Sequence, residues 1–176
     1  MGYLPEPTEG WTIPINIDLS TTHKESLESE MRNTLQKLGP GFDLPEPITV
    51  GPLKGEWQGV LANQPDATSL TDKQKFQLYS ENVKEGPVIL YLHGGGYVTG
   101  NPEMARTATL KLAKLCKGRV FAVDYRLAPQ NPFPSALLDA LAAYKHLIDP
   151  PSEGAFHEAI PPSKIIIAGD SAGVLP

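Results

Sequence analysis

The last residues of the sequence carry the feature that most constrains the fold. An apolar run, Ile-Ile-Ile-Ala, leads directly into Gly-Asp-Ser-Ala-Gly at residues 169–173. A strand followed by Gly-x-Ser-x-Gly is typical of a sharp strand-to-helix turn with the serine at its tip. Such a turn needs small residues around Ser171, and Gly169 and Gly173 supply them. The pattern predicts that the Ser171 hydroxyl is lifted out of a sheet and that the Ala172 N–H can point at an anionic oxygen.

Three successive glycines follow a second apolar run. Residues 87–92 predict a buried strand, and the sequence continues with His93, Gly94, Gly95 and Gly96. Glycines let backbone N–H groups approach a ligand oxygen closely. The spacing fits neither a phosphate loop, which needs Gly-x-x-x-x-Gly-Lys-Ser/Thr, nor a dinucleotide fingerprint, which needs Gly-x-Gly-x-x-Gly. A purely structural turn is the weaker alternative, and we favour a loop whose N–H groups stabilise a developing negative charge.

Strands and helices alternate along the second half of the chain. The predicted strands are residues 87–92, 119–123 and 163–168, and the predicted helices are residues 103–116 and 134–147. This order implies right-handed crossovers and an α/β fold with a mostly parallel sheet flanked by helices. Open sheets of this kind bind ligands at the C-terminal ends of their strands, so the glycine loop and the serine turn are expected to be neighbours.

The first half of the chain has weaker patterns. Residues 1–20 are rich in proline and predict no regular element, whereas Thr21 or Thr22 is expected to cap a helix that ends near Leu38. Two short strands are predicted at residues 48–50 and 56–61, and a polar surface helix at residues 71–83.

Composition limits the partners and the location. A formal net charge of −5 argues against a nucleic-acid partner, and a single cysteine excludes an internal disulfide. No apolar run reaches membrane-spanning length, and the N-terminus lacks the features of a signal peptide. A cytoplasmic protein without a membrane span is therefore expected. The cysteine and histidines are too scattered to suggest a metal ion or a cofactor.

The motifs together resemble the hormone-sensitive lipase family of α/β-hydrolases, also called the α/β-hydrolase fold-3 group. The third matching segment is Asp-Tyr-Arg-Leu-Ala-Pro at residues 124–129, and the resemblance covers roughly residues 85–176. It implies an incomplete α/β-hydrolase fold. In this interpretation residues 1–45 form an N-terminal cap-like segment, and residues 46–176 form the N-terminal part of a hydrolase core.

The resemblance also implies a reaction and assigns roles to residues. The family hydrolyses carboxylic esters, so the expected substrate is a small-molecule ester and the expected nucleophile is Ser171. The implied oxyanion hole comprises Gly94, Gly95, Gly96 and Ala172, with Gly94 mainly shaping the loop. The implied loop supports are His93, Asp124 and Arg126, and His93 braces the loop without being the catalytic base.

One part of the family's machinery does not occur in this sequence. In this fold the triad acid and histidine come after the serine, and neither type of residue follows Ser171. His146 is expected on an exposed helix face and His157 in a proline-rich segment, so neither suits the role of base. We therefore interpret the chain as truncated after the serine turn and inactive by itself. A non-catalytic product or a binding module is the alternative that stays open.

The strand before the serine is expected to have one open edge. In this fold it pairs on one side with the strand before the glycine loop, and the strand on its other side comes later in the chain. Residues 165–167 would then present unpaired backbone groups and β-branched side chains, which favour pairing with a second chain. The sequence thus predicts self-association through this edge.

Overall fold

The computed structural model describes residues 10–37, 39, 47–62, 65–151 and 154–174. Within them lies one five-stranded sheet in the order β1-β2-β4-β3-β5. The strands are β1 (Gly10–Ile17), β2 (Leu53–Val60), β3 (Val88–Leu92), β4 (Arg119–Val123) and β5 (Ile165–Gly169). The α-helices are α1 (Thr21–Gln36), α2 (Asp72–Ser80), α3 (Pro102–Cys116) and α4 (Ser135–Ile148). Single 3₁₀ turns cover Glu81–Val83, Pro162–Lys164 and Ser171–Gly173.

The sheet is mostly parallel, as the sequence predicts. β3 pairs in parallel with both β4 and β5, whereas β2 runs antiparallel to its neighbours β1 and β4. Only β2 therefore opposes the common strand direction. No helix in the described segments is long and apolar enough to cross a bilayer.

Strands β3 and β4 are buried on both faces, and this explains their continuous apolar runs. One face packs on α3, where Ile89 and Val120 contact Ala113. The opposite face packs on α4 and the aromatic side chains of β2 and α2, and there Leu90 and Phe121 lie in the main core. Because both faces of these strands are covered, a ligand site can form only at the strand ends, where the loops lie.

The first strand corrects one sequence prediction. Residues 1–20 were expected to be irregular, but residues 10–17 form β1, whose buried side chains are Trp11, Ile13, Ile15 and Ile17. Pro14 obscures this alternation because proline lacks the N–H of a central strand. At a sheet edge that N–H is not needed, and β1 is an edge strand. Residues 1–9 lie outside the described part.

Two further details of the N-terminal half differ from expectation. Ser20, rather than Thr21 or Thr22, caps α1, because its hydroxyl accepts the N–H of His23. Residues 48–50 form no strand; Ile48 and Val50 are buried against α1 and α4 instead.

The division between residues 45 and 46 stays a prediction, since both residues lie outside the described part. The structure adds two contacts across it. β1 pairs along its whole length with β2, and α1 packs against α4 through Leu27, Met31 and Leu138.

His146 is buried, which corrects the expectation of an exposed histidine. Its side chain is on the face of α4 that packs on Phe121, and the residue is 1% exposed. Its Nε2 lies 3.3 Å from Nε2 of His157. Burial, with a smaller effect of His157, lowers the pKa of His146 to about 3, and burial also lowers the pKa of His157. Both rings are therefore neutral near pH 7.

This buried pair predicts acid sensitivity. In the unfolded chain a histidine protonates near pH 6.5, but folded His146 stays neutral down to much lower pH. The stability from His146 is therefore complete only well above pH 6.5 and falls as the pH drops toward 3, by about 1.6 kcal/mol between pH 6.5 and 5. Urea unfolding at both pH values measures this loss.

The matched variants are His146→Leu and His23→Gln. His146→Leu should flatten the pH dependence between pH 6.5 and 5, although it changes the absolute stability. His23→Gln alters a histidine that contacts Asp149 at the surface and should retain most of the dependence. Equal pH dependence in wild type and His146→Leu would contradict this account.

The edge strand β5 generates a second prediction. β5 pairs with β3, as predicted, and with no other strand in the described residues. Ile166 and Ile167 are 46% and 58% exposed. Because open apolar edges pair with other chains, we expect the 176-residue protein to self-associate. Light scattering after size-exclusion chromatography should show a mass above that of one chain.

Ile167→Lys places a charge on this edge and should shift the protein toward the monomer. Leu115→Lys is the matched control, because Leu115 is 80% exposed but belongs to α3. A wild-type protein that is monomeric at all concentrations would contradict the prediction.

Candidate active site

Ser171 occupies a tight turn at the C-terminal end of β5. Asp170 is extended, Ser171 has a φ of +48°, and a single 3₁₀ turn follows. A positive φ is uncommon for a non-glycine residue and costs about 1–3 kcal/mol, so the surroundings must hold this conformation. The residue is exposed to solvent. The turn therefore leaves Ser171 accessible at the end of β5, and the orientation of its hydroxyl toward a substrate stays a prediction.

The two motif glycines are required by the close approach of this turn to β3. A β carbon on Gly169 would lie 2.6 Å from the carbonyl oxygen of Leu92. One on Gly173 would overlap the same oxygen and lie 2.9 Å from the carbonyl oxygen of His93. The turn thus presses directly on the end of the strand that leads into the glycine loop.

The glycine loop is held by its own backbone. The carbonyl oxygen of Gly95 accepts the N–H groups of Val98 and Thr99, each at 3.1 Å. Gly95 and Gly96 have φ values of +124° and +62°, and Tyr97 also has a positive φ. These left-handed conformations turn the chain sharply above β3.

A carboxylate joins the loop to the serine turn. Oδ1 of Asp170 accepts the N–H of Gly94 at 2.8 Å and the hydroxyl of Tyr91 at 2.9 Å. Burial, followed by the nearby Asp170 carboxylate, raises the pKa of Tyr91 above its ordinary value, so the phenol stays a donor. The bond to Asp170 occupies the N–H of Gly94. The remaining candidate oxyanion donors are therefore the N–H groups of Gly95, Gly96 and Ala172.

Sequence reasoning overlooked Asp170 and Tyr91. Asp170 fills a variable position of the Gly-x-Ser-x-Gly pattern, and Tyr91 lies in an apolar run where it reads as a core residue. One signal was present: a carboxylate at the end of β5 must find donors, and the adjacent parallel strand ends in a loop of backbone N–H groups.

His93 lies under the loop. Its ring stacks on Tyr125 with centroids 4.1 Å apart, and its Nδ1 lies 2.7 Å from the carbonyl oxygen of Gly94. That acceptor requires the proton on Nδ1. The Tyr125 hydroxyl donates to the His93 carbonyl oxygen. The contacts suit the bracing role that the resemblance implies, and that role stays a prediction.

Asp124 and Arg126 do not pair with each other. Asp124 is exposed, whereas Arg126 forms a two-pronged pair with buried Asp139 in α4, its Nη2 lying 2.8 Å from Oδ1. Asp139 also accepts the backbone N–H of Arg126 at 2.8 Å, and Nη2 donates to the Thr49 carbonyl. Arg126 thus fixes the segment after β4 through Asp139, and the role of Asp124 and Arg126 as loop supports stays a prediction.

An apolar cavity of about 650 Å³ opens beside the serine turn. It begins at Ala172 and Gly173, and the rest of its wall includes Leu92, Tyr97, Phe133, Leu137 and Ala140. Its position next to a candidate oxyanion donor suits an apolar group attached to a reacting carbonyl. In the segments the structure describes, no three His, Cys, Asp or Glu side chains could hold a metal ion together.

The loop predicts contrasting effects of two neighbouring substitutions. Gly95→Ala would drive a β carbon into the Thr99 backbone at an unfavourable φ, whereas a β carbon on Gly96 has its nearest neighbour, a Val98 methyl group, at 4.0 Å. We expect Gly96→Ala to lower the free energy of unfolding by about 1–2 kcal/mol and Gly95→Ala by about 3 kcal/mol or more. Denaturant unfolding measures both, and equal losses would contradict the loop conformation.

Known proteins resemble this chain in sequence and in fold. A family model described as an alpha/beta hydrolase fold matches residues 89–174. An acetyl-hydrolase of Streptomyces hygroscopicus is 39% identical over 90 residues, which cover 51% of this chain and 27% of that protein. An ethyl acetate hydrolase of Pseudomonas putida is 43% identical over 88 residues, covering 50% of this chain and 26% of that protein.

A solved structure extends the likeness to the N-terminal half. It is an esterase from the bacterial hormone-sensitive lipase family, with 25% sequence identity and a TM-score of 0.54. The match covers 97% of this chain and 37% of that protein. The matched part of the chain thus spans about a quarter of the two sequence relatives and little more than a third of this structure.

Proposed function

The chain belongs to the hormone-sensitive lipase-like family of α/β-hydrolases, and from this premise we propose that it serves carboxylic ester hydrolysis with Ser171 as the nucleophile. One observation carries the proposal. Ser171 is held at a positive φ in a turn whose neighbour, Asp170, binds the glycine loop. Nucleophile and backbone donors are thereby fixed relative to each other, which acyl transfer requires.

In the proposed reaction the Ser171 oxygen attacks the ester carbonyl carbon. The carbonyl oxygen becomes an oxyanion, for which the N–H groups of Gly95, Gly96 and Ala172 are the candidate donors. The carbon–oxygen bond to the alcohol then breaks, the alcohol leaves with a proton, and an acyl-serine remains for water to hydrolyse. The apolar cavity would take the acyl group. Two relatives are named an acetyl-hydrolase and an ethyl acetate hydrolase, and these names support a short acyl chain in the proposed substrate.

The proton transfer needs a base, and the described histidines are poorly suited to provide it. His93 uses Nδ1 on the Gly94 carbonyl and is buried. His146 and His157 contact each other. Because a serine without a base is a weak nucleophile, we expect the 176-residue chain alone to hydrolyse esters very slowly.

A fluorophosphonate probe with added imidazole tests this proposal. Imidazole replaces the base in solution, and the probe forms a stable bond to an activated serine. We expect imidazole-dependent labelling, located on Ser171 by peptide mass spectrometry, because the donors that favour an oxyanion also favour the phosphonyl oxygen.

Two variants serve as controls. Ser171→Ala should abolish the labelling, whereas Ser163→Ala, which alters an exposed serine just before β5, should leave it unchanged. Labelling that survives in Ser171→Ala would contradict the role of this serine. A folded wild-type protein that is never labelled would favour the rival interpretation, a binding module that keeps the cavity without reacting.

A further inference from the structure

A second cavity lies at the opposite end of the sheet from Ser171. It has a volume of about 400 Å³ and is bounded by the residues that precede β3, by the first residue of β4, and by the segment before β5. It shares no residue with the cavity beside the serine turn. Its floor contains Arg119, and its walls include Phe76, Phe156 and Ile160.

The guanidinium of Arg119 is buried, and no carboxylate of the described residues forms an ion pair with it; Glu85 acts on it only at longer range. The residue is 7% exposed, and among the described residues nothing accepts the hydrogen of its Nε. Nη2 reaches only the carbonyl oxygen of Lys84, at 3.5 Å. The rings of Trp57 and Phe76 lie 5.9 and 5.5 Å from the guanidinium carbon, but aromatic faces satisfy no N–H directed elsewhere. A buried cation with a free donor is costly unless an anion joins it.

The other cations that line the cavity already have partners. Lys84 forms an ion pair with Glu81 at 2.7 Å, and Lys164 with Glu85 at 2.9 Å. Among the described side chains that line this cavity, Arg119 is therefore the one cation without an ion pair. An anion that enters the cavity would meet this guanidinium at its floor.

We propose that this cavity binds a small carboxylate with an apolar group, and that Arg119 binds the carboxylate. A planar guanidinium suits the two oxygens of a carboxylate. The rings of Phe76 and Phe156, with centroids 5.8 Å apart, provide an apolar wall for the rest of the ligand. Glu81, Glu85 and Glu158 at the cavity would repel a phosphate dianion more than a monoanion.

Benzoate is the probe, titrated into the full 176-residue chain at low ionic strength. The readout is the NMR resonance of the Arg119 Nε–H group, one of four arginine signals, assigned through Arg→Lys variants. We expect saturable binding in the range of about 1–10 mM, because the contact is small. The Arg119 resonance should shift most, and benzamide, the neutral isostere, should leave it unmoved.

Variants distinguish the contribution of Arg119 to binding from that of the exposed charged residues around the cavity. Arg119→Gln should weaken binding about tenfold or more, whereas Lys84→Gln, which alters an exposed and paired lysine, should change it less than about threefold. Glu85 is exposed, and Glu85→Gln removes a negative charge near the cavity, so this variant should bind benzoate more tightly. It provides the test if Arg119→Gln does not fold. A motionless Arg119 resonance, equal binding of benzamide, or tighter binding of inorganic phosphate would overturn the proposal.

Discussion

The candidate site depends on the close approach of the serine turn to the end of β3. Gly169 and Gly173 pass so near the carbonyl oxygens of Leu92 and His93 that no β carbon fits. This contact exists only because β3 and β5 pair in parallel and end at the same level, with Leu92 opposite Gly169. The sheet register, rather than the loops, therefore sets the distance between the serine and the backbone donors. Loops alone would hold such a distance less accurately.

Asp170 turns this proximity into a fixed arrangement. Its carboxylate accepts one hydrogen from the glycine loop and one from Tyr91, a side chain of β3. The loop is thus tied to the turn on one side, and through His93 and Tyr125 to the end of β4 on the other. Preorganised donors cost no rearrangement when charge develops, which is the condition for electrostatic stabilisation.

Sequence patterns predicted the two strands that are buried on both faces and the helices that pack on them. Continuous apolar runs indicated β3 and β4, and helical periodicity of the packed face indicated α3 and α4, because burial restricts the residue types at those positions. The predictions that were wrong concern segments whose conformation depends on contacts with distant parts of the chain. β1 contains a proline that only an edge strand tolerates, and Ile48 and Val50 are buried by α1 and α4 without strand pairing.

In the site too, residues that belong to a motif were predictable, whereas residues that act through distant partners in the fold were not. Ser171 and the glycines were recognisable because their chemistry requires those residue types, but Asp170, Tyr91 and the Arg126–Asp139 pair owe their roles to partners distant in sequence.

The two ends of the sheet differ in how their buried polar groups are hydrogen-bonded. Near the serine turn the Asp170 carboxylate accepts hydrogens from Gly94 and Tyr91, although Nε2 of His93 has no partner among the described residues. At the other end the structure keeps two neutral histidines and a cation with a free donor. A satisfied network rigidifies, whereas a buried donor without an acceptor has a free-energy cost that a bound ligand can offset.

This contrast bears on catalysis itself. Oxyanion donors and substrate binding contribute to acyl transfer even when a triad member is lost, and in well-studied serine proteases this residual effect is about 10³–10⁴ over water. In the proposed mechanism the described residues supply the electrostatic half of such a site, and the pairing of β3 with β5 sets its geometry. A base makes a different demand, because it must reach the serine oxygen, and the histidines at 93, 146 and 157 are each committed to other contacts. In the proposed mechanism the two halves of the chemistry are therefore physically separable, and the pairing of β3 with β5 supports the first of them.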